Sequence, residues 1–132
     1  MDIKFLSDLK INHIGIIIPV ESKSRIEAES GEMFLEDEIQ GVSVCFVWDE
    51  YLNTFKEYIT QEGRASKYEL GYNHICYDVD NQETMSMLHT YFLKNKNGIR
   101  LTLPEPSPTK QCNIVTFYRI NGAGIIEFNI VN

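Results

Sequence analysis

The sequence predicts an α+β fold made of two tandem modules with one shared order: strand, helix, then three strands. Three observations carry that prediction. Asn-His-Ile stands near the head of two strand-like runs, "INHIGIIIPV" at 11–20 and "YNHICYDVDN" at 72–81. A helix candidate follows each run, and short β-rich runs parted by turn residues follow each helix. A length of 132 residues suits one domain built from two similar halves. We therefore expect a single domain over 1–132, with module one at about 11–60 and module two at about 72–132.

In module one, Ile14, Ile16, Ile17 and Ile18 form a β-branched run that Pro19 ends. "ESKSRIEAES" (21–30) is a short polar helix stopped by Gly31, offering Ile26, Ala28 and Val20 to a core. "EMFLEDE" is a short edge strand, "GVSVCFVW" (41–48) alternates like a strand, and "NTFKEYIT" (53–60) is the fourth. "QEGRASKYELG" reads as a polar loop. Module two repeats the order. "HICYDV" (74–79) is its first strand. In "DNQETMSMLHTYFLKNKNG", Asp80 or Asn81 caps a helix whose Met85, Leu88 and Phe92 share one face. Lys94 and Lys96 suit its C-terminal end and Gly98 its stop. Then come "IRLTL" (99–103), the turn "PEPSP", and "NIVTFYRI" (113–120). An "NGAG" hairpin turn leads to "IIEFNIV" (125–131).

Composition excludes several function classes. The net charge is −7 and the Lys and Arg residues are scattered, so neither nucleic acid nor an anionic membrane surface is an expected partner. No apolar run approaches the roughly 18 residues of a membrane span. The N-terminal "MDIKFLSDLK" carries acids at Asp2 and Asp8 and makes a poor signal peptide. Cys45, Cys76 and Cys112 are odd in number and widely spaced, which fits reduced thiols in a cytoplasmic protein.

Four residues stand out chemically. By the period of two, His13 shares a face with Gly15 and Ile17, and His74 shares one with Cys76 and Asp78. Each histidine thus opposes the most hydrophobic series of its strand, the series expected to pack under a helix. The last strand of each module carries a glutamate among apolar residues: Glu57 in "FKEYI" and Glu127 in "IIEFNI". Desolvating a carboxylate costs several kcal/mol unless a cation faces it. Two imidazoles and two carboxylates form a mixed nitrogen–oxygen set suited to a divalent ion such as Zn, Co, Ni, Mn or Fe(II). His89 lies mid-helix, outside this duplicated pattern, and reads as a surface or helix-packing residue.

At these residues the chain resembles the vicinal-oxygen-chelate superfamily, which includes glyoxalase I, methylmalonyl-CoA epimerase, fosfomycin-resistance proteins and extradiol dioxygenases. The resemblance runs from about residue 11 to the end. It implies a cupped mixed sheet around one metal ion, held by His13, Glu57, His74 and Glu127. "GVSVCFV", "NHICYDVDN" and "GIIEF" look most like methylmalonyl-CoA epimerases. Three features depart from that pattern: the first-module helix is short and polar, Val44 stands where some epimerases carry an acid, and "EGRASKY" replaces a loop with Ser-Pro.

The implied chemistry is proton abstraction beside a carbonyl, with Glu127 as the expected base and Glu57 second. The implied substrate is an acyl thioester or a thiol adduct, and the implied assembly is a homodimer. Two alternatives stand beside an epimerase or isomerase: a glyoxalase I-like lactoylglutathione lyase, and a metal-free small-molecule binding protein of the bleomycin-resistance kind. Retention of all four candidate ligands argues against the last.

Overall fold

The computed structural model describes residues 8–107 and 113–131. Cys112 and most of the N-terminal segment weighed above as a leader lie outside them. Two compact units emerge: His13–Asn73, and a second that joins His74 onward to the start of the first strand up to Asn12.

The first unit follows the expected order: β1 (Lys10–Ile18, entering from the other unit), α1 (Lys23–Ser30), β2 (Leu35–Asp37), β3 (Val42–Asp49) and β4 (Thr54–Thr60). Its strands lie side by side as β2-β3-β4-β1. β1 runs parallel to β4 and the other pairs are antiparallel. Ile16 and Ile18 of β1 pack with Ile26 of α1 and Cys45 of β3, as the alternation requires. Of the three residues expected to anchor α1, only Ile26 is buried; Ala28 is exposed and Val20 is 41% exposed. A helix this polar is held largely from outside: Glu27 Oε2 accepts a bond from the Phe34 backbone N–H at 2.9 Å. Gly31 caps its C-terminus as expected.

The polar loop after β4 contains a tight turn at Gly63–Ala65, and Ala65 is buried with Ile17, Val42, Val44 and Ile59. Gly63 has φ +51°, and a Cβ there would strike the carbonyl oxygens of Gln40 and Gly41. Only glycine allows this approach, which lets the Arg64 N–H donate to Gln40 O at 2.8 Å.

The second unit repeats the plan: β5 (Gly71–Val79, entering from the other unit), α2 (Gln82–Asn95), β6 (Gly98–Arg100), β7 (Glu105–Pro106), β8 (Ile114–Ile120) and β9 (Gly124–Ile130). The order is β5-β9-β8-β6, with β7 also on β8. β5 runs parallel to β9. Asn81 caps α2 by accepting from the Thr84 N–H at 2.8 Å. Met85 and Phe92 of α2 are buried against Val79, Tyr118, Ile126, Phe128 and Ile130, with Leu88 partly buried beside them. Phe92, Tyr118 and Phe128 form a mutual aromatic cluster, with centroids 5.2–6.1 Å apart.

Two expectations need correction here. α2 ends at Asn95 and is capped by Lys96, which adopts the left-handed conformation at φ 55°, while Gly98 opens β6. A Cβ at position 98 would lie 3.1 Å from Phe92, a tight contact that glycine avoids. The strand expected over 99–103 stops at Arg100: the Leu101 and Thr102 N–H groups both turn onto the carbonyl of Phe117, and two donors on one acceptor break the ladder. Pairing resumes at Glu105–Pro106, inside what reads in sequence as a turn. Among the described residues, no helix is long and apolar enough to cross a membrane.

Candidate metal centre

Each unit presents one His–Glu pair, built the same way twice. In the first, β1 and β4 are parallel with Gly15 opposite Glu57, so His13 and Glu57 sit one step apart on one sheet face. His13 Nε2 lies 3.1 Å from Glu57 Oε1; the histidine is 3% exposed and the Glu57 side chain 12%. In the second, Cys76 is opposite Glu127, and His74 Nε2 lies 3.0 Å from Glu127 Oε1, both buried. The parallel pairing sets this diagonal, because a histidine two residues ahead of the glutamate's partner reaches forward to its carboxylate.

The 3.0–3.1 Å separations fit a shared cation. Two ligands about 2.1 Å from one ion lie about 3.0 Å apart at a right angle and about 3.4 Å apart at the tetrahedral angle. Each pair is at hydrogen-bond distance, a separation that two neighbouring ligands on one ion would also show. His13, Glu57, His74 and Glu127 are residues that could hold a metal ion, and all four were expected from sequence.

The sequence reading missed two neighbours. Phe46 on β3 meets the His13 ring edge-on, with centroids 5.2 Å apart, and Phe117 on β8 does the same to His74 at 5.3 Å. Each phenylalanine stands directly across from its unit's glutamate, Phe46 opposite Glu57 and Phe117 opposite Glu127. A lone aromatic in a strand reads as core. Only superposing the two halves on their glutamates would have revealed the pair.

Next to each His–Glu pair the modules differ. In register with His13 come Phe55, 42% exposed, and Trp48, 48% exposed, which meet edge-to-face at 5.1 Å. The matching places beside His74 hold Ile125 and the exposed Arg119. On the other side of the pairs, module one has buried Ile17, Ile59 and Val44 in register. Module two has Asp78, Asn129 and Val115.

His89 belongs to neither pair. Its Nδ1 lies 2.6 Å from the Tyr118 hydroxyl, which also accepts from Arg100 Nε at 3.2 Å. Which of His89 Nδ1 and the Tyr118 hydroxyl donates follows the imidazole tautomer. Desolvation by burial, with help from Arg100, lowers the His89 pKa. It is a helix-packing residue, one of the two roles expected of it. Cys45 and Cys76 are buried, and burial pushes the Cys45 thiol up.

Solved structures with this architecture include methylmalonyl-CoA epimerase from Mycobacterium tuberculosis, at 12% identity over 93% of this chain and 88% of that one, with a TM-score of 0.63. A hypothetical protein from Bacillus halodurans is 20% identical, over 93% of this chain and 94% of that one, with a TM-score of 0.65. The chain has the vicinal-oxygen-chelate fold. A substituted Streptomyces coelicolor methylmalonyl-CoA epimerase, in complex with 2-nitronate-propionyl-CoA, shares that fold at 17% identity, over 93% and 98% of the two chains, with a TM-score of 0.59. No family model and no curated protein matches the sequence. Vicinal-oxygen-chelate architecture explains why the His–Glu pair occurs twice: each module supplies one.

Proposed function

We propose that this chain is a metal-dependent epimerase or isomerase of an acyl thioester, working as a single domain in which His13, Glu57, His74 and Glu127 hold one divalent ion. The observation that carries the proposal is the duplicated His–Glu pair, each at a separation that two neighbouring metal ligands would also show. The four residues form one candidate ligand set, which supports one ion rather than two. The two carboxylates would balance the charge of a divalent ion held by these four residues. The bound ion would supply Lewis-acid stabilisation of negative charge developing on a substrate carbonyl oxygen.

The chain's own residues do the rest. Glu127 is buried, with Ile126 and Phe128 beside it in the strand. A carboxylate so placed, oriented by His74 and shielded by Phe117, is the base that takes the α-proton. The carbon–hydrogen electron pair then moves to the carbonyl oxygen. Glu57, similarly oriented by His13, is second in line. The acyl-CoA ligand held by the Streptomyces coelicolor relative supports a thioester substrate for this chain. The homodimer implied by the resemblance is part of the proposal, and a monomer mass in sedimentation would remove that part.

The test is metal analysis of protein purified without chelator, followed by an assay for solvent deuterium entering the α-position of methylmalonyl-CoA. One divalent ion per chain and exchange that chelation abolishes are expected. Metal-free protein without exchange would favour a binding module. Turnover of a thiol–ketoaldehyde adduct in place of the thioester would favour a lyase.

A further inference from the structure

An epimerase must remove a proton from one face of a carbon and return one to the other, and Val44 offers no acid on module one's side of the site. Module two offers one. Asp78 lies on the same face of β5 as His74 and is in register with Asn129, two residues beyond Glu127 on β9. Two residues of strand place it roughly 7 Å along the sheet from the Glu127 row. A substrate carbon can stand between two carboxyl groups at that spacing. The matching module-one places, Ile17 and Ile59, are packed in an apolar cluster with Val44, so the polarity belongs to module two alone.

The surroundings of Asp78 are built rather than incidental. Asn12 Nδ2 and Asn129 Nδ2 both donate to Asp78 Oδ1, at 2.9 and 3.0 Å. Both bonds land on Oδ1, so a proton carried by the acid form belongs on Oδ2. Asn129 is 2% exposed, and its Oδ1 is buried without a hydrogen-bond partner. An orphaned buried acceptor is costly unless something donates to it. A bound substrate or water with a donor group would remove that cost.

We propose that Asp78 is the second catalytic acid–base group, acting on the face of the substrate's α-carbon opposite Glu127; this rests on the epimerase reading above. In one direction the Glu127 carboxylate takes the α-proton, and the electron pair of that bond moves to the carbonyl oxygen. Protonated Asp78 then gives its proton to the opposite face of the carbon as the carbonyl re-forms. The product leaves with inverted configuration, Glu127 protonated and Asp78 ionised. Exchange with water restores the starting protonation, and the reverse reaction uses the same two groups in swapped roles.

The experiment uses the full chain with its metal and one stereoisomer of methylmalonyl-CoA in deuterated solvent, following inversion, label position and metal content separately. Asp78→Asn is expected to keep its metal and to go on exchanging the α-proton of the stereoisomer that Glu127 serves. Its inversion rate should fall at least 100-fold, within the range typical of a lost acid–base group. Inversion by Asp78→Asn within threefold of wild type would overturn the assignment. If that variant does not fold, early product from the wild-type protein decides. Solvent deuterium in the product beside unlabelled remaining substrate supports two groups on two faces, whereas substrate-derived protium in the product overturns it. Wild-type protein inert to the thioester would remove the epimerase reading and this inference together, while normal inversion by Asp78→Asn removes this inference alone.

Discussion

His74 and Glu127 stand on neighbouring parallel strands with Nε2 3.0 Å from Oε1, and His13 and Glu57 repeat the relationship at 3.1 Å. The repeat makes a prediction about metal. His13→Ala and His74→Ala should each lower metal content sharply, because the other face of each strand packs on a helix and offers no replacement donor. Full stoichiometric metal in both variants, measured by elemental analysis, would contradict the ligand assignment.

The edge-on phenylalanines should matter for metal retention without being ligands. Phe117→Leu removes the ring that holds the His74 imidazole at 5.3 Å while keeping an apolar side chain. Metal affinity is expected to weaken several-fold, short of the 10–100-fold typical of lost hydrogen-bonded support around a metal site. Chelator competition reads the difference, and unchanged affinity would show that the packing is incidental.

His89 should affect stability rather than chemistry. Its pKa is lowered in the folded protein from an ordinary value of 6.5, so in acid the unfolded chain binds the proton more readily. The stability it contributes is complete above about pH 6.5 and is lost as pH falls through the lower folded value. Melting temperatures across pH 5–8 should show this fall in wild type and a flatter profile in His89→Gln. That variant should also keep its metal and most activity; a hundredfold activity loss, about 2.7 kcal/mol of barrier, would place His89 in the site.

Gly98→Ala should destabilise the fold by about 1–3 kcal/mol, the usual range for overpacking. The added carbon would press on Phe92, which is fully buried in the aromatic cluster. Chemical denaturation measures it. A change under about 0.5 kcal/mol would mean that the α2–β6 junction is looser than its packing indicates.

Much of the site could be read from sequence because it is duplicated. A histidine on a strand, or a glutamate among isoleucines, is ambiguous alone; the same two residues in the same order in both halves are not. What remained hidden depends on contacts that no local pattern records. Phe46 and Phe117 look like core until their rings are seen against the histidines. Lys96 adopts the left-handed conformation at the helix end, where sequence points to Gly98 as the stop. The end of β6 is set by two N–H groups competing for the Phe117 carbonyl, a matter of geometry rather than propensity. Asp78 was legible as a member of the His74 face. Its two amide donors, Asn12 and Asn129, lie 66 and 51 residues away in the chain.

The account rests most heavily on Glu127 as both ligand and base, and Glu127→Gln separates the two roles. The amide keeps the size and an oxygen donor but removes the basicity. With the variant reloaded with metal, α-proton exchange of methylmalonyl-CoA in deuterated solvent is the deciding measurement. Metal retained with exchange reduced 10²–10⁴-fold, the usual consequence of losing a positioned base, is the predicted result. Exchange near the wild-type rate with metal bound would contradict it and move the base to Glu57.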